Sequence, residues 1–189
     1  MDLIEKDPKA YARRYFDKEQ GFTNKGMEFG KKMADGLESG DITGDETLDL
    51  MIEQIPKFEI MDKEFFAELK RSRGQEPIII LAKPDTMKKD MTAFKEYKTS
   101  QTRWSQRRVD NCTQIQFYAT AMWLKTGKIP KDVELVEIAT KASLDGEIAP
   151  TGDIYRYKAV ITMVQVLNMI IRMKKAWAAI EELTEARFV

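Results

Sequence analysis

Asp85, in IIILAKPD (78–85), and Glu96 and Lys98, in FKEYKTSQ (94–101), are residue types that together suit a hydrolytic metal centre. Alternate side chains of a strand share a face, so Glu96 and Lys98 project to one side while Tyr97 projects to the other. If the preceding strand ends at Pro84 and turns through TMKKDM, antiparallel pairing brings Asp85 alongside Glu96. Two converging carboxylates suit a hard, oxygen-preferring cation such as Mg²⁺ or Mn²⁺, which keeps several waters and takes one or two carboxylates plus substrate phosphates. Such a cation acidifies water and offsets charge on a phosphate, and Lys98 would orient that water or stabilise the developing charge. Taken alone, a Glu-x-Lys on a strand is more often a solvated face carrying a cross-strand ion pair, so the reading depends on its surroundings.

Those surroundings are polar and basic. Gln114 and Tyr118, in QIQFYATAMWL (114–124), are four apart and share a helix face, and Arg107 and Asn111 extend that stripe towards the N-terminus. Net charge is zero, with 31 Lys and Arg against 31 Asp and Glu. Between positions 83 and 108, however, Lys83, Lys88, Lys89, Lys95, Lys98, Arg103, Arg107 and Arg108 face only Asp85, Asp90 and Glu96. A local positive field of this kind suits a phosphate-bearing partner. Histidine is absent, which removes His-based triads and His–metal sites and leaves carboxylate and lysine chemistry. Cys112 is the sole cysteine, so an internal disulfide and a multi-cysteine zinc or iron–sulfur site cannot be built from these residues. No G-x-x-x-x-G-K-[ST] loop marks an ATP-driven motor.

The elements that must position these residues follow from periodicity. Thr23 or Asn24 caps a predicted helix over 25–37, and a second helix is predicted over 46–54, stopping before Pro56. Extended segments are expected at 57–69, 77–82 and 92–99, forming a three-strand meander with PIIILA as a buried strand. A long helix over 104–125 ends at Gly127; strands at 133–140 and 154–161 and a helix over 162–186 complete the chain. On that last helix Met163, Leu167, Ile170, Ile171, Met173 and Trp177 are expected to pack on the sheet, with Arg172, Lys174 and Lys175 in solvent. The order implies an α/β fold with helices on both sides of a central mixed sheet, and 189 residues fit one domain. No stretch is long and apolar enough to span a membrane, and MDLIEKDPKAYARR has no signal-peptide core, so a cytoplasmic protein is expected.

IIILAKPD, FKEYKTSQ and QIQFYATAMWL resemble, in order and spacing, the motifs of the PD-(D/E)XK nucleases, specifically the RecB-like branch that includes phage recombination exonucleases and CRISPR adaptation nucleases. There a buried strand ends in the first Asp, the next carries (D/E)-x-K followed by Thr, and the following helix carries Q-x-x-x-Y. The resemblance covers about 80 residues and implies a restriction-endonuclease-like core. It implies Asp85, Glu96 and Lys98 as catalytic residues; Asp85, Glu96 and the backbone carbonyl of Tyr97 as ligands to Mg²⁺ or Mn²⁺; and Gln114, Tyr118 and Arg107 as positioners of nucleic acid. Many relatives carry a His or Glu ligand on the first helix a few residues after a Gly. Here the possible registers offer Glu28 after Gly26 or Ala34 after Gly30, which makes Glu28 the candidate. The cluster-binding cysteines of several relatives are missing. The activity implied is hydrolysis of phosphodiester bonds in DNA, expected as an exonuclease of phage or bacterial recombination or repair. A homo-oligomer and a recombination partner protein are among the possible associations. The alternatives are a nuclease-fold protein that binds nucleic acid without cutting it, and an interaction protein whose Glu-x-Lys is accidental.

Overall fold

The structure, a computed structural model, describes residues 2–19, 21 and 23–187. Within them the chain runs α1 (Asp2–Lys6), α2 (Pro8–Tyr15), α3 (Lys25–Ser39), α4 (Glu46–Gln54), β1 (Ile60–Met61), β2 (Phe65–Leu69) and β3 (Ile78–Ala82). It continues through β4 (Thr86–Met87), β5 (Ala93–Ser100), α5 (Gln106–Asp110), α6 (Thr113–Thr126), β6 (Asp132–Ala142), β7 (Ile148–Ala159) and α7 (Met163–Glu185). Five strands form a mixed sheet in the order β1-β4-β5-β6-β7. Only β5 and β6 run parallel, and α5 and α6 make the crossover that parallel pairing requires.

β5 and β6 are buried almost throughout because helices cover both faces of the sheet. On one face Phe94, Val133 and Leu135 pack with Ile115, Ala119 and Met122 of α6 and Met169 and Met173 of α7. On the other, Tyr97, Val136 and Ile138 pack with Phe29, Met33 and Leu37 of α3 and Leu48 and Met51 of α4. The expected α/β architecture, a central mixed sheet between helices, is therefore the observed one. Among the described residues no helix is long and apolar enough to cross a membrane.

Several local expectations need correction. The extended segment at 57–69 is two strands, broken at Asp62, whose φ is +43°. β3 does not join the meander: it pairs with β2 in a separate two-stranded sheet, and its alternating burial leaves Ile79 and Leu81 on the outside. The long helix over 104–125 is divided at Asn111–Cys112, where the Asn111 amide donates to the Arg107 carbonyl at 2.7 Å and Cys112 is extended; a short polar side chain bonding to nearby backbone competes with helix continuation. β7 begins at Ile148, not 154, with an irregularity in its pairing between Ile138 and Thr140. On α7 the buried positions are Val166, Met169, Met173 and Ala176, whereas Met163, Leu167 and Ile171 are exposed, so the packed face is rotated from the expected one. Arg172 pairs with Glu5 at 2.6 Å instead of meeting solvent alone. The sequence reading assigned no element to α1 and α2; α2 is capped by the Asp7 side chain, which accepts from the Ala10 N–H, and starts with Pro8.

α3 is placed against its neighbours by a close approach at Gly36. A Cβ there would lie 2.7 Å from Thr43 Cγ2 and 2.9 Å from Ile52 Cδ1. Thr43 cannot yield freely, since its hydroxyl donates to Asp49 at 2.7 Å. Gly36→Ala is thus expected to destabilise the protein by about 1–3 kcal/mol in urea melts, although alanine is the better helix former. A variant as stable as wild type would contradict this packing.

Candidate metal centre

β4 sets the centre. It pairs antiparallel with β5, Thr86 opposite Lys95 and Met87 opposite Phe94. Thr86 is fully buried and pins this short strand in place, its hydroxyl accepting from Phe58 N–H at 2.8 Å and donating to the Ile60 carbonyl at 3.0 Å. The residue before it, Asp85, therefore falls beside Glu96 and Tyr97, and its Oδ2 accepts from the Tyr97 N–H at 2.6 Å. The expected juxtaposition of Asp85 and Glu96 is present, but β4 supplies it and not β3. Tyr97 points to the opposite face, as expected, where its hydroxyl donates to the Pro56 carbonyl at 2.9 Å.

Glu96 is 1 % exposed. Its Oε1 accepts from Lys98 Nζ at 2.5 Å, while its Oε2 is buried and meets no N–H or hydroxyl donor among the described residues; the neighbouring group is the Asp85 carboxyl, to which Glu96 can hydrogen-bond only when one of the two is protonated. Burial, then the negative charge of Asp85, pushes the Glu96 carboxyl up to about 8. Asp85 is also raised, mainly by burial. Burial works to lower Lys98, but Glu96 and Asp85 outweigh it and hold the ammonium above its ordinary value. A buried carboxylate oxygen with no donor is costly unless something positive meets it.

The chemistry of this donor set fits a cation. No group of three or more Asp, Glu, Cys or His side chains converges among the described residues. Asp85 and Glu96 alone match the way Mg²⁺ and Mn²⁺ are held, through few protein carboxylates with water and phosphate in the remaining positions. Asp85 and Lys98 line a cavity of about 450 Å³ between the sheet edge and α3, together with Ala34, Glu38, Asp62 and Lys83.

Glu28 does not reach this cavity; it is exposed and borders a different hollow with Lys31 and Lys32. The register that faces the site is Gly30 and Ala34, and alanine has no donor atom, so the Glu28 expectation is corrected. Gln114 and Tyr118 do share a face, with Gln114 Nε2 donating to the Tyr118 hydroxyl at 3.0 Å. They line a neighbouring cleft that meets the first cavity at Lys83. Burial, and next the charge of Glu96, raises the Tyr118 phenol, which shows how near the two clefts lie. The break before α6 interrupts the stripe, leaving Arg107 and Asn111 exposed outside it.

Asp62, paired with Lys83 at 2.6 Å on the cavity wall, was not singled out from sequence, where Lys83 figured only among the basic residues. Asp62 donates its N–H to the Asp85 carbonyl at 2.9 Å. Its left-handed backbone, which Asp tolerates better than most residues, is the only local signal.

The orphaned carboxylate predicts a stability effect in the metal-free protein. An acid raised in the folded state takes up a proton on folding between its ordinary value, near 4.5, and about 8, so stability falls as pH rises through that window. Glu96→Gln should remove this loss and raise the melting temperature at pH 8 in chelator by several degrees, on the order of 1–2 kcal/mol. A variant that melts below wild type under those conditions would contradict the claim that burial and the charge of Asp85 outweigh the Lys98 pair.

No protein-family model matches the chain, and no curated protein matches its sequence. Among solved structures, SSO0001 is 16% identical and aligns over 78% of this chain and 67% of that one, with a TM-score of 0.38, too low to bear on the fold. The chain is similar in fold to a protein from Eubacterium rectale provisionally called an exonuclease, at 12% identity, over 89% of this chain and 72% of that one, with a TM-score of 0.53.

Proposed function

We propose that this chain is a metal-dependent nuclease with a restriction-endonuclease-like core that hydrolyses phosphodiester bonds in DNA, acting as an exonuclease in phage or bacterial recombination or repair. The observation that carries the reading is the juxtaposition of two buried carboxyl groups, Glu96 Oε2 having no N–H or hydroxyl donor beside Asp85, with Lys98 on the other oxygen of the same carboxylate. The fold shared with the Eubacterium rectale protein supports it. Asp85, Glu96 and the Tyr97 carbonyl would hold Mg²⁺ or Mn²⁺. When bound, the cation supplies Lewis acidity that acidifies water and offsets charge on the scissile phosphate.

The chain's own groups do the rest. Lys98, kept as an ammonium by its two carboxylate neighbours, donates to the oxygen on which negative charge develops. The Asp85 carboxylate is aimed by the Tyr97 N–H, so no reorganisation is needed to present it. Gln114 and Tyr118, coupled at 3.0 Å, form a polar ledge in the adjoining cleft that positions the nucleic-acid strand, with Arg107 beyond it meeting phosphate.

The test uses the purified chain with end-labelled linear DNA and covalently closed circles of the same sequence, in Mg²⁺, in Mn²⁺ and in chelator. Linear ends degraded in metal while circles survive is the expected result. Cut circles would reassign the enzyme as an endonuclease. Salt-sensitive binding with no cleavage in any metal would leave a nucleic-acid-binding protein and sink the catalytic reading.

A further inference from the structure

Half of the ten arginines face carboxylates: Arg13, Arg71, Arg156, Arg172 and Arg187 each pair with one. Arg14 and Arg73 have no ion pair among the described residues. Arg103, Arg107 and Arg108, in the segment that leaves β5 just after Lys98, make no close ion pair among the described residues, and the buried Glu137 acts on Arg103 only at longer range. Two of them lie over aromatic rings. The Arg103 guanidinium lies 4.0 Å from the centroid of the Tyr155 ring, and that of Arg108 lies 3.7 Å from that of Trp104.

Sheet register relates this group to the metal centre. Lys98 on β5, Glu137 on β6 and Tyr155 on β7 are successive cross-strand neighbours and share one face of the sheet. Tyr155 is thus two strand spacings from Lys98, roughly 10 Å, a reach of a nucleotide or two along a strand. The segment is also fixed. Glu137, fully buried, accepts from the Trp104 N–H at 3.1 Å and from the Tyr157 hydroxyl at 3.1 Å, while that hydroxyl bonds the Trp104 carbonyl at 2.8 Å. Both backbone polar groups of Trp104 are therefore tied to the sheet.

We propose that Arg103 on Tyr155 and Arg108 on Trp104 form a docking platform for an unpaired, single-stranded stretch of nucleic acid next to the phosphodiester bond at Lys98. This rests on the nuclease reading above. A guanidinium has five N–H donors, so Arg103, which gives one to the Tyr157 hydroxyl, and Arg108 both retain donors for phosphate, and an exposed guanidinium plane is a surface on which a base can stack. Bases inside a duplex are already stacked on one another, so such a platform selects unpaired strands and does so with little regard to sequence. Three cations without a close ion pair among the described residues provide the matching charge.

The probe is a fluorescently labelled deoxythymidine oligonucleotide, compared with a blunt duplex of equal length by anisotropy in chelator across a salt series. Wild type should favour the single strand. Arg103→Ala and Tyr155→Ala should each weaken that binding about tenfold, with Arg103→Ala flattening the salt dependence by about one unit of log–log slope. Tyr155→Phe should bind like wild type because the ring is kept. Arg73→Ala, which removes an unpaired arginine from the hairpin turn between β2 and β3, should change affinity less than twofold. Circular dichroism melts check that each variant folds.

Wild-type cleavage together with unaltered binding in Arg103→Ala and Tyr155→Ala overturns the platform and leaves the nuclease reading standing. Weakened binding in those variants without cleavage in any metal keeps the platform and overturns the nuclease. Absence of single-strand binding by wild type overturns the platform outright.

Discussion

Lys98→Ala should lower the single-turnover rate of DNA cleavage by about 10²–10³-fold, the effect of removing one preorganised charge from a developing anion. Lys98 contacts Glu96 Oε1 at 2.5 Å and is about a third exposed, so its loss opens no large cavity and the fold should persist. The variant should still bind Mn²⁺, because Asp85 and Glu96 remain. Lys98→Arg should not restore the rate, since a planar guanidinium cannot take the place of a compact ammonium between two carboxylates. Asp85→Ala should differ in kind, losing cleavage and metal binding together. A Lys98→Ala enzyme within about threefold of wild type would remove Lys98 from the chemistry.

The second large effect is on stability and lies on the other face of the same strand. Lys95 is 5 % exposed and pairs with buried Glu134 at 2.6 Å, in register across β5 and β6. Arg156 on β7 closes the group with two contacts to Glu134, each 2.9 Å, so one carboxylate ties three strands together. Lys95 also sits 4.6 Å above the Phe58 ring. Glu134→Gln leaves a buried ammonium without its counter-charge and should cost about 3–5 kcal/mol. Burial raises the Glu134 carboxyl, but the hydrogen bonds and charges of Arg156 and Lys95 prevail and hold it below its ordinary value. The sign follows: this stability is fully present above the ordinary value of about 4.5 and is lost as pH falls through the lowered folded value. Urea denaturation of Glu134→Gln at pH 7 and of wild type below pH 4 measures both effects; a variant within about 1 kcal/mol of wild type would contradict the triad's role.

What could be read from residues alone was set by strong periodicity and short range. The helix over 46–54 and the strand carrying Glu96 and Lys98 were legible because the stop before Pro56 and the alternating faces mark them locally. The proximity of Asp85 and Glu96 was legible too, since a turn between two extended segments leaves few other pairings. The strand that delivers Asp85 was not, because β4 is two residues long and is fixed by Thr86 bonding to Phe58 and Ile60, contacts remote in sequence. PIIILA carries the composition of a buried central strand, yet tertiary context put it in a hairpin with one face outside. The interruption before α6 depends on a single Asn side chain turning back on Arg107, which periodicity does not encode. The aromatic partners of Arg103 and Arg108 come partly from β7, fifty residues on, and only sheet register reveals that they share a face with Lys98.

Under the proposed function, Asp85 and Glu96 form one divalent-cation site. Mn²⁺ binding at pH 8, followed by loss of the free-ion paramagnetic resonance signal and set beside cleavage rates in the same solutions, tests it most directly. Wild type should take up Mn²⁺ with cleavage rising in step with occupancy, while Glu96→Gln and Asp85→Ala should show neither. Unchanged Mn²⁺ uptake in both variants, or cleavage that proceeds without it, would contradict the assignment.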